Sequence, residues 1–453
     1  MALRLTGRPP RIEIDAAAEG ARAGFRGVAS MRPDSPLRKG RLGTMAVVVA
    51  LMAVACGGAE QVAATTFNES TEPTSGIETS AASPTKSDRV AGPMVQLPIA
   101  ELPAADLLQA TLDAGVIEHG GKGFTFAVIL PDGKRWVGVT GVSHGTTKVT
   151  PDVLFAAGSI TKTWTATTIM QLAEEGVLSL DDPVCEWLPE IPNVDRSITL
   201  RQLLNHTSGV HDYIDHPDYW KSAVWDEPDR SWTPGETLAT YLLEPYFAPG
   251  TAWHYSNSGY VLLRMIIMEA TGSDIATVYR NRFFDPLGLD GTFVIPGEEP
   301  PNNIAHGWWD LDGDGEYDDF SATPYTAFAS GLGGQVFTTA EDLAEWTRAL
   351  YHEQTVLRAD SFAEMIDFYP TEMEDEPLLD GYGLGAVRFA PEFVSGLEVW
   401  GHGGDAPGYA AGAFYLPDYG ISMGFADNTE RGDAMPLIDD MMGLILGLTV
   451  ETP

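Results

Sequence analysis

Two side chains near the middle of the chain have the types and the spacing that nucleophilic catalysis needs. Ser159 stands where an irregular segment meets a stretch that is apolar on most sides, which predicts a buried helix over 160–175. Lys162 follows three residues later, so both side chains project from one face of the first helical turn. Burial lowers the pKa of a lysine, and a neutral amine beside a hydroxyl can take its proton. The pair therefore predicts a serine nucleophile activated by a lysine base.

The spacing of this pair is weak evidence by itself, because Ser83–Lys86 repeats it in a segment without hydrophobic periodicity. A serine that opens a helix is usually only an N-cap, but that interpretation leaves a lysine on an apolar helix unexplained. Two further motifs follow, Tyr-Ser-Asn at 255–257 ahead of a helix and His-Gly-Gly at 402–404 at a strand end. Similar patterns at 279–281 and 119–121 do not occur in such places. The three motifs are therefore interpreted together.

The elements predicted around these motifs indicate one globular domain over residues 95–450. Strands are predicted at 124–130, 135–142, 397–401, 409–416 and 420–427. Helices are predicted at 160–175, 199–205, 235–243, 258–271, 274–284, 340–351 and 434–447. Strands at both ends of the domain with helices between them predict an α/β (α+β) fold, an antiparallel sheet flanked by helices with a helical lobe inserted. A cleft between the sheet and the lobe is then the natural place for a site.

Six segments, in order along this domain, resemble one family of serine hydrolases. They are FAAGSITK (155–162), LLNHTSGV (203–210), PGTAWHYSNSGY (249–260), GLGGQVFTTAEDLAEW (331–346), YGLG (382–385) and GHGGDAPGY (401–409). Together they resemble the group of class C β-lactamases, DD-carboxypeptidases and related esterases, which share a serine β-lactamase-like or penicillin-binding-protein fold. The resemblance covers about 100–445 and implies a β-lactamase/transpeptidase-like architecture.

The resemblance implies a catalytic role for residues of the first two motifs. Ser159 would form an acyl-enzyme, with Lys162 as its partner in proton transfer. Tyr255 would deprotonate Ser159 or protonate the leaving group, and Asn257 would hold Lys162 and hydrogen-bond the substrate. The alternative is that Tyr255 and Asn257 are ordinary loop residues that stabilise a turn. The Asn205–Gly209 stretch also matches the family, and we interpret it as a helix end closed by glycine.

The third motif is expected to bind the substrate. His402 would stand at the cleft end of a strand, with packing as the alternative to a role in the site. Gly403 and Gly404 would let the substrate approach that strand closely. The backbone N–H groups of Ser159 and Asp405 would form the oxyanion hole.

Two positions bear on the substrate. Class C β-lactamases carry lysine where this chain has His402, and histidine there resembles DD-carboxypeptidases and many esterases. The carboxypeptidases place an arginine two residues after YGLG; here that residue is Val387, and Arg388 one step later is expected to point away unless a bulge intervenes. We expect a cell-envelope serine hydrolase, D-alanyl-D-alanine carboxypeptidase-like or β-lactamase-related, that takes a small peptide, ester or β-lactam. An esterase and a non-catalytic penicillin-binding-fold protein are the alternatives.

The composition excludes some partners. The 453 residues include 64 acidic residues against 27 lysines and arginines, giving a formal net charge of -37. Proteins bind nucleic acid and anionic lipid surfaces through basic residues, so neither is expected to be a partner of this acidic protein. Two cysteines rule out a disulfide scaffold, and Cys185 is expected to be an inert buried thiol. The composition indicates no particular oligomeric state.

The N-terminal segment is predicted to be a targeting element. Residues 1–55 form a basic extension and signal peptide whose apolar run, Met45 to Ala55, is too short to span a bilayer. The run ends at Cys56 and resembles a bacterial lipoprotein signal, with cleavage by an ordinary signal peptidase near Ala55 as the alternative. Residues 56–94 are predicted to be a disordered tether. The domain is therefore expected to be extracytoplasmic, either membrane-anchored as a lipoprotein or secreted.

An acidic stretch carries alternating carboxylates. Asp310, Asp312 and Asp314, with glycine between them, match the opening of an EF-hand-type calcium loop, but the twelfth position is Ser321 instead of glutamate. The pattern allows a structural Ca²⁺ site, with a solvated acidic loop as the simpler interpretation. No other cofactor is required by the predicted chemistry.

Overall fold

A nine-stranded antiparallel sheet is the central element of the computed structural model, which describes residues 102–118, 120–226, 230–301, 303–310, 316–320, 334–371, 379–391, 396–429 and 434–447. The extension predicted at 1–55, the tether predicted at 56–94 and Cys56 lie outside the described residues. Asp312 and Asp314 also lie outside them.

The first and last long strands of the domain are neighbours in this sheet. The described strands are β1 Gly123–Ile129, β2 Arg135–His144, β3 Thr147–Lys148, β4 Phe155–Ala156, β5 Phe293–Ile295, β6 Trp308–Trp309, β7 Asp318–Asp319, β8 Gln335–Thr338, β9 Tyr369–Pro370, β10 Leu379–Tyr382, β11 Val387–Phe389, β12 Val399–Ala406, β13 Tyr409–Leu416 and β14 Ile421–Asp427. Their order in the large sheet is β3-β2-β1-β14-β13-β12-β11-β10-β9. Within the described residues β4, β8 and β5 form a smaller sheet, and β6 pairs with β7. The predicted antiparallel sheet built from both ends of the domain is confirmed.

Helices cover both faces of the large sheet. The described α-helices are α1 Ala105–Glu118, α2 Thr161–Glu174, α3 Leu200–Leu204, α4 Pro234–Tyr241, α5 Asn257–Thr271, α6 Ile275–Tyr279, α7 Asp285–Leu287, α8 Ala340–Thr347, α9 Ala359–Met365 and α10 Ala434–Leu446. The 3₁₀ turns Gly158–Ile160, Val184–Glu186 and Tyr213–Asp215 and the π-helical segments Trp220–Asp226, Arg280–Phe284 and Arg348–His352 lie between them. None of the described helices is long and apolar enough to cross a membrane.

Two apolar cores lie on opposite faces of the sheet. On one face α1 and α10 pack through residues such as Leu112 and Leu437. On the other face α2 lies in the larger core, where Trp164 stacks on Trp346 with ring centroids 5.2 Å apart. Buried aromatic pairs of this kind add stability beyond the area that they bury. The helix that carries Lys162 is thus held rigidly between the sheet and the helical lobe.

Strand β12 is longer than the sequence predicts. The predicted strand stops at residue 401, whereas β12 continues through His402 to Ala406. Its glycines have a low intrinsic preference for strands, but pairing with β13 carries the strand onward, with His402 opposite Ala413 and Gly404 opposite Ala411. His402 therefore lies within a strand and not at its end, which corrects the predicted position.

Cys185 also departs from the prediction. It lies in the 3₁₀ turn Val184–Glu186, where its side chain is half-buried. The Leu- and Pro-rich sequence around it suggested an interior position, but the turn holds the side chain near the surface. The predicted buried position of Cys185 is therefore wrong.

Candidate active site

The 3₁₀ turn that carries Ser159 packs directly against β12. Gly158 has a φ of +53°, and a Cβ atom on it would lie 2.6 Å from the backbone nitrogen of Asp405. A Cβ atom on Gly404 would lie 2.0 Å from the carbonyl oxygen of Ala157. Glycine is therefore required on both sides of this contact. Its effect is to bring the backbone nitrogens of Ser159 and Asp405 to one edge, as an oxyanion hole needs.

The predicted nucleophile lies between the two predicted proton-transfer groups. The Nζ atom of Lys162 is 2.9 Å from Ser159 Oγ, and the Tyr255 hydroxyl donates to the same Oγ at 2.8 Å. Tyr255 comes from the loop before α5, Ser159 from the 3₁₀ turn that leads into α2, and Lys162 from the start of α2. Residues almost 100 positions apart in sequence thus share one oxygen atom.

Lys162 is buried, with 3% of its surface exposed. Burial, followed by repulsion from the Arg264 guanidinium, lowers the pKa of Lys162 to about 7, and the Asp212 carboxylate partly opposes this. A substantial fraction of the amine is therefore neutral near pH 7 and can accept the proton of Ser159. The amine also lies 4.7 Å from the centre of the Tyr255 ring.

Asn257 is the first residue of α5 and accepts a hydrogen bond from Lys162 Nζ on its Oδ1 atom at 2.7 Å. Its position depends on Asp212, a buried residue that the sequence analysis missed. Both the backbone nitrogen and the side-chain Nδ2 of Asn257 donate to Asp212 Oδ2, at 2.9 and 2.8 Å. The signal available in the sequence was an aspartate shortly after the LLNHTSGV segment.

His402 is buried and held on both ring nitrogens. Its Nδ1 atom lies 2.5 Å from the Gly403 carbonyl oxygen, and its Nε2 atom lies 3.0 Å from the Tyr382 hydroxyl. Because the carbonyl can only accept, Nδ1 carries the proton and Nε2 accepts from Tyr382. Burial and the nearby Lys162 ammonium lower the pKa of His402 to about 3. The ring is thus neutral at pH 7, which suits packing and orientation of the strand better than acid catalysis.

His206 is a second buried histidine that supports the site. It has a φ of +62° and follows α3, so the helix ends before Gly209, contrary to the predicted glycine closure. Its Nδ1 atom accepts from the backbone nitrogen of Ser256 at 3.1 Å, and its ring centroid lies 4.3 Å from that of Tyr255. Burial keeps the pKa of His206 well below its ordinary value. The neutral ring holds the loop that delivers Tyr255.

A pocket opens above these groups. Its lining includes Ser159, Lys162, Asn257 and Asp405, together with apolar and aromatic residues such as Tyr213 and Val261. The Asp405 side chain is exposed, and the contact between Gly158 and the Asp405 backbone indicates that the main chain of Asp405 forms the wall. Three separate elements, the α2 turn, the α5 start and β12, therefore meet at one cleft.

The acidic stretch does not add a metal centre to the described structure. Asp310 is half-buried, and the described residues contain no group of three or more acidic, histidine or cysteine side chains placed to hold a metal ion. Asp312 and Asp314 lie outside the described residues, so the calcium site stays a prediction.

The region that contains these groups is similar to known proteins. Residues 104–441 match the family described as Beta-lactamase. The chain belongs to the beta-lactamase family. The chain thus has the fold of the β-lactamases and penicillin-binding proteins, as its sequence motifs predict.

Relatives within the beta-lactamase family carry several activities in their names. Penicillin-binding protein 4* of Bacillus subtilis strain 168 is 32% identical over 289 residues, which cover 61% of this chain and 61% of that protein. Penicillin-binding protein 4 of Amycolatopsis lactamdurans is 28% identical over 361 residues, covering 75% of this chain and 88% of that protein. The crystal structure of a D-stereospecific amidohydrolase from Streptomyces sp. has a TM-score of 0.65 and 32% identity, covering 75% of this chain and 98% of that chain. The chain spans about three fifths of the first of these relatives.

Proposed function

We propose that the protein hydrolyses amides and esters of small D-amino acid or peptide substrates through an acyl intermediate on Ser159. The observation that carries this proposal is the placement of Ser159 Oγ between Lys162 Nζ at 2.9 Å and the Tyr255 hydroxyl at 2.8 Å. A base and an acid on one nucleophile are the requirement for covalent acyl transfer. The D-stereospecific amidohydrolase among the similar structures supports the choice of substrate class.

The steps follow from these positions. The neutral Lys162 amine takes the proton of Ser159 Oγ as the oxygen attacks the substrate carbonyl carbon, and the backbone N–H groups of Ser159 and Asp405 stabilise the oxyanion. Collapse of this intermediate breaks the C–N or C–O bond, and Tyr255 donates a proton to the departing nitrogen or oxygen. Tyr255 is then reprotonated from Lys162, which restores both groups. Water attacks the acyl carbon by the reverse route and releases the acid and Ser159.

The charges near the pocket favour substrates without a terminal carboxylate. Arg388, one residue after the position where carboxypeptidases carry an arginine, has its Nε atom 2.7 Å from Asp380 Oδ2 and does not line the described pocket. Arg264 does line it, but its Nη1 atom donates to the Gly334 carbonyl at 2.7 Å and its side chain is buried. A neutral amide or ester substrate can bind without a cation in the pocket to pair with it.

The D-alanyl-D-alanine carboxypeptidase or β-lactamase activity expected from the sequence is the second candidate. It is favoured by the two relatives that are named penicillin-binding proteins. A non-catalytic binding protein is disfavoured, because a protein that only binds ligand has no need to keep Ser159, Lys162 and Tyr255 in mutual hydrogen-bond contact.

A substrate panel tests the proposal. Initial rates would be measured for D-phenylalanine amide and its L enantiomer, a diacetyl-Lys-D-Ala-D-Ala peptide, p-nitrophenyl butyrate and a chromogenic cephalosporin, with Ser159→Ala as the control. We expect the D-amide and the ester to be hydrolysed, the L-amide much more slowly, and the variant to be inactive on all of them. Preferential turnover of the D-Ala-D-Ala peptide or the cephalosporin would instead support the second candidate. Failure of a fluorophosphonate probe to label Ser159 would eliminate both.

We propose in addition that the mature protein is extracytoplasmic and carries a lipid on Cys56. The basic and apolar segment before Cys56 supports this proposal. Mass spectrometry of protein purified from membranes would detect an acylated N-terminal cysteine. An unacylated Cys56 in that protein would contradict the proposal.

A further inference from the structure

Asp212 is a buried carboxylate that accepts hydrogen bonds from Asn257, the residue that contacts Lys162 Nζ. Only 1% of its surface is exposed. Its Oδ1 atom accepts from the backbone nitrogen of Ile214 at 3.2 Å and caps the 3₁₀ turn Tyr213–Asp215. Its Oδ2 atom accepts hydrogen bonds from both the backbone nitrogen and the side-chain Nδ2 of Asn257. A serine at position 212 could still cap the 3₁₀ turn, but its shorter side chain would not reach Asn257.

The bonds to Asp212 decide which way the Asn257 amide faces. A flipped amide would place its oxygen against the Asp212 carboxylate, two acceptors in contact, and its NH₂ group against Lys162 Nζ. The observed orientation directs Nδ2 at Asp212 and Oδ1 at Lys162, at 2.8 and 2.7 Å. One hydrogen of the amine is thereby committed to Asn257, and the amine is aimed at Ser159.

We propose that Asp212 is a positioning residue for the base of this hydrolase: it locks the Asn257 amide toward Lys162 and supplies a buried counter-charge to that amine. The inference rests on the proposed acyl-Ser159 reaction. An amine that is too weak a base removes the serine proton slowly, and an amine that stays protonated cannot remove it at all. The negative charge of Asp212 therefore affects the reaction rate.

Charged and titratable groups from several elements surround Lys162 and Asp212. Those that face Lys162 are Arg264 from α5, Tyr255 and Tyr260 before and within α5, His206 after α3 and His402 on β12. Those that face Asp212 are Asp215, Tyr213, Tyr219 and Tyr246. Burial and Arg264 lower the pKa of Lys162, and Asp212 raises it. Loss of the Asp212 charge would therefore lower the pKa of Lys162 further.

Two substitutions separate the positioning role from the structural one. Asp212→Ser keeps a cap for the Ile214 nitrogen but removes the bonds to Asn257 and the charge. Asp212→Asn keeps the shape and one acceptor but removes the charge. Asp274→Ser is the matched control, because Asp274 caps α6 through the Thr277 nitrogen at 2.9 Å and is exposed.

The experiment measures the rate of fluorophosphonate labelling of Ser159 from pH 5 to 9, together with the melting temperature. Asp212→Ser is expected to slow labelling about 100-fold and Asp212→Asn about 10-fold, since buried charge-assisted hydrogen bonds are lost. In both, the midpoint of the rise in rate with pH moves to a lower pH than in the wild type. Asp274→Ser retains the wild-type rate and midpoint.

The outcomes distinguish failure of the proposed acyl-Ser159 reaction from failure of the positioning role of Asp212. If the wild type itself is not labelled at Ser159, the proposed function fails and the inference fails with it. If the wild type is labelled but Asp212→Ser labels as fast as Asp274→Ser, the positioning role alone is overturned. Slower labelling with an unmoved pH midpoint in both Asp212 variants, accompanied by a lower melting temperature, assigns Asp212 to structure only and also overturns it.

Discussion

Replacing Tyr255 by phenylalanine tests the assignment of the acid separately from that of the base. The substitution removes the hydroxyl that donates to Ser159 Oγ at 2.8 Å and leaves the contact between Ser159 and Lys162 in place. The half-buried ring keeps its contacts with His206, at 4.3 Å between centroids, and with Tyr382, at 6.1 Å. The fold should therefore tolerate the change.

The size of the effect depends on the leaving group. An amide nitrogen must be protonated as it departs, and a positioned general acid accelerates such steps by roughly 10²–10⁴-fold, about 3 to 5 kcal/mol of barrier. A p-nitrophenolate departs without a proton, so ester hydrolysis should lose only the neutral hydrogen bond to Ser159, about 1 kcal/mol or roughly 5-fold. The ratio of amide to ester rates should therefore fall by at least ~20-fold in Tyr255→Phe.

The assay compares kcat/KM for D-phenylalanine p-nitroanilide or amide with that for p-nitrophenyl butyrate in each variant. Tyr260→Phe is the matched control, because Tyr260 lines the same pocket but donates its hydroxyl to the Leu204 carbonyl at 2.7 Å. It should lower both rates by a similar small factor. Equal losses on amide and ester in Tyr255→Phe would refute the assignment of Tyr255 as the acid.

Three other outcomes are expected. For the wild type, kcat/KM should rise with pH and level off above about pH 7, because Lys162 must be neutral to accept a proton and burial lowers its pKa to about 7; a midpoint above pH 9 in the pH–rate profile would contradict this. Gly404→Ala should lower the free energy of unfolding by about 1–3 kcal/mol and abolish labelling of Ser159, since the added Cβ would lie 2.0 Å from the Ala157 oxygen; chemical denaturation and a fluorophosphonate probe measure both. If Asp310, Asp312 and Asp314 bind calcium, a chelator should lower the melting temperature by several degrees, and an unchanged value would remove that site.

The residues proposed to be catalytic could be found in the sequence because each lies in a local pattern with its own signal. Ser159 and Lys162 share one helical turn, and the buried character of α2 is visible in its apolar residues. Tyr255 lies just before an apolar helix, α5, and Asn257 is the first residue of that helix. The strands at both ends of the domain were equally visible, because β1 and β14 are apolar and each is bounded by turn residues.

The supporting residues could not be predicted because their roles depend on contacts between distant segments. Asp212 has the appearance of an ordinary turn cap in the sequence, and its contact with Asn257 spans 45 positions. His206 becomes a support for Tyr255 only when the end of α3 meets the loop before α5, 50 positions later. The extension of β12 through its glycines likewise comes from pairing with β13, and not from the residues of β12 themselves.

The pairing of β1 with β14 places a demand on how the chain folds. The backbone nitrogen of Lys122 bonds to Thr429 Oγ1 across 307 positions, and the β1–β14 ladder begins beside it. Closing such a distant contact costs chain entropy that local contacts cannot offset, so the sheet is completed slowly and late in folding. Until β14 is available, β1 presents an unpaired apolar edge to which other chains can add. A chain that emerges from its N-terminal end therefore has to be kept from aggregating until its last strand has arrived.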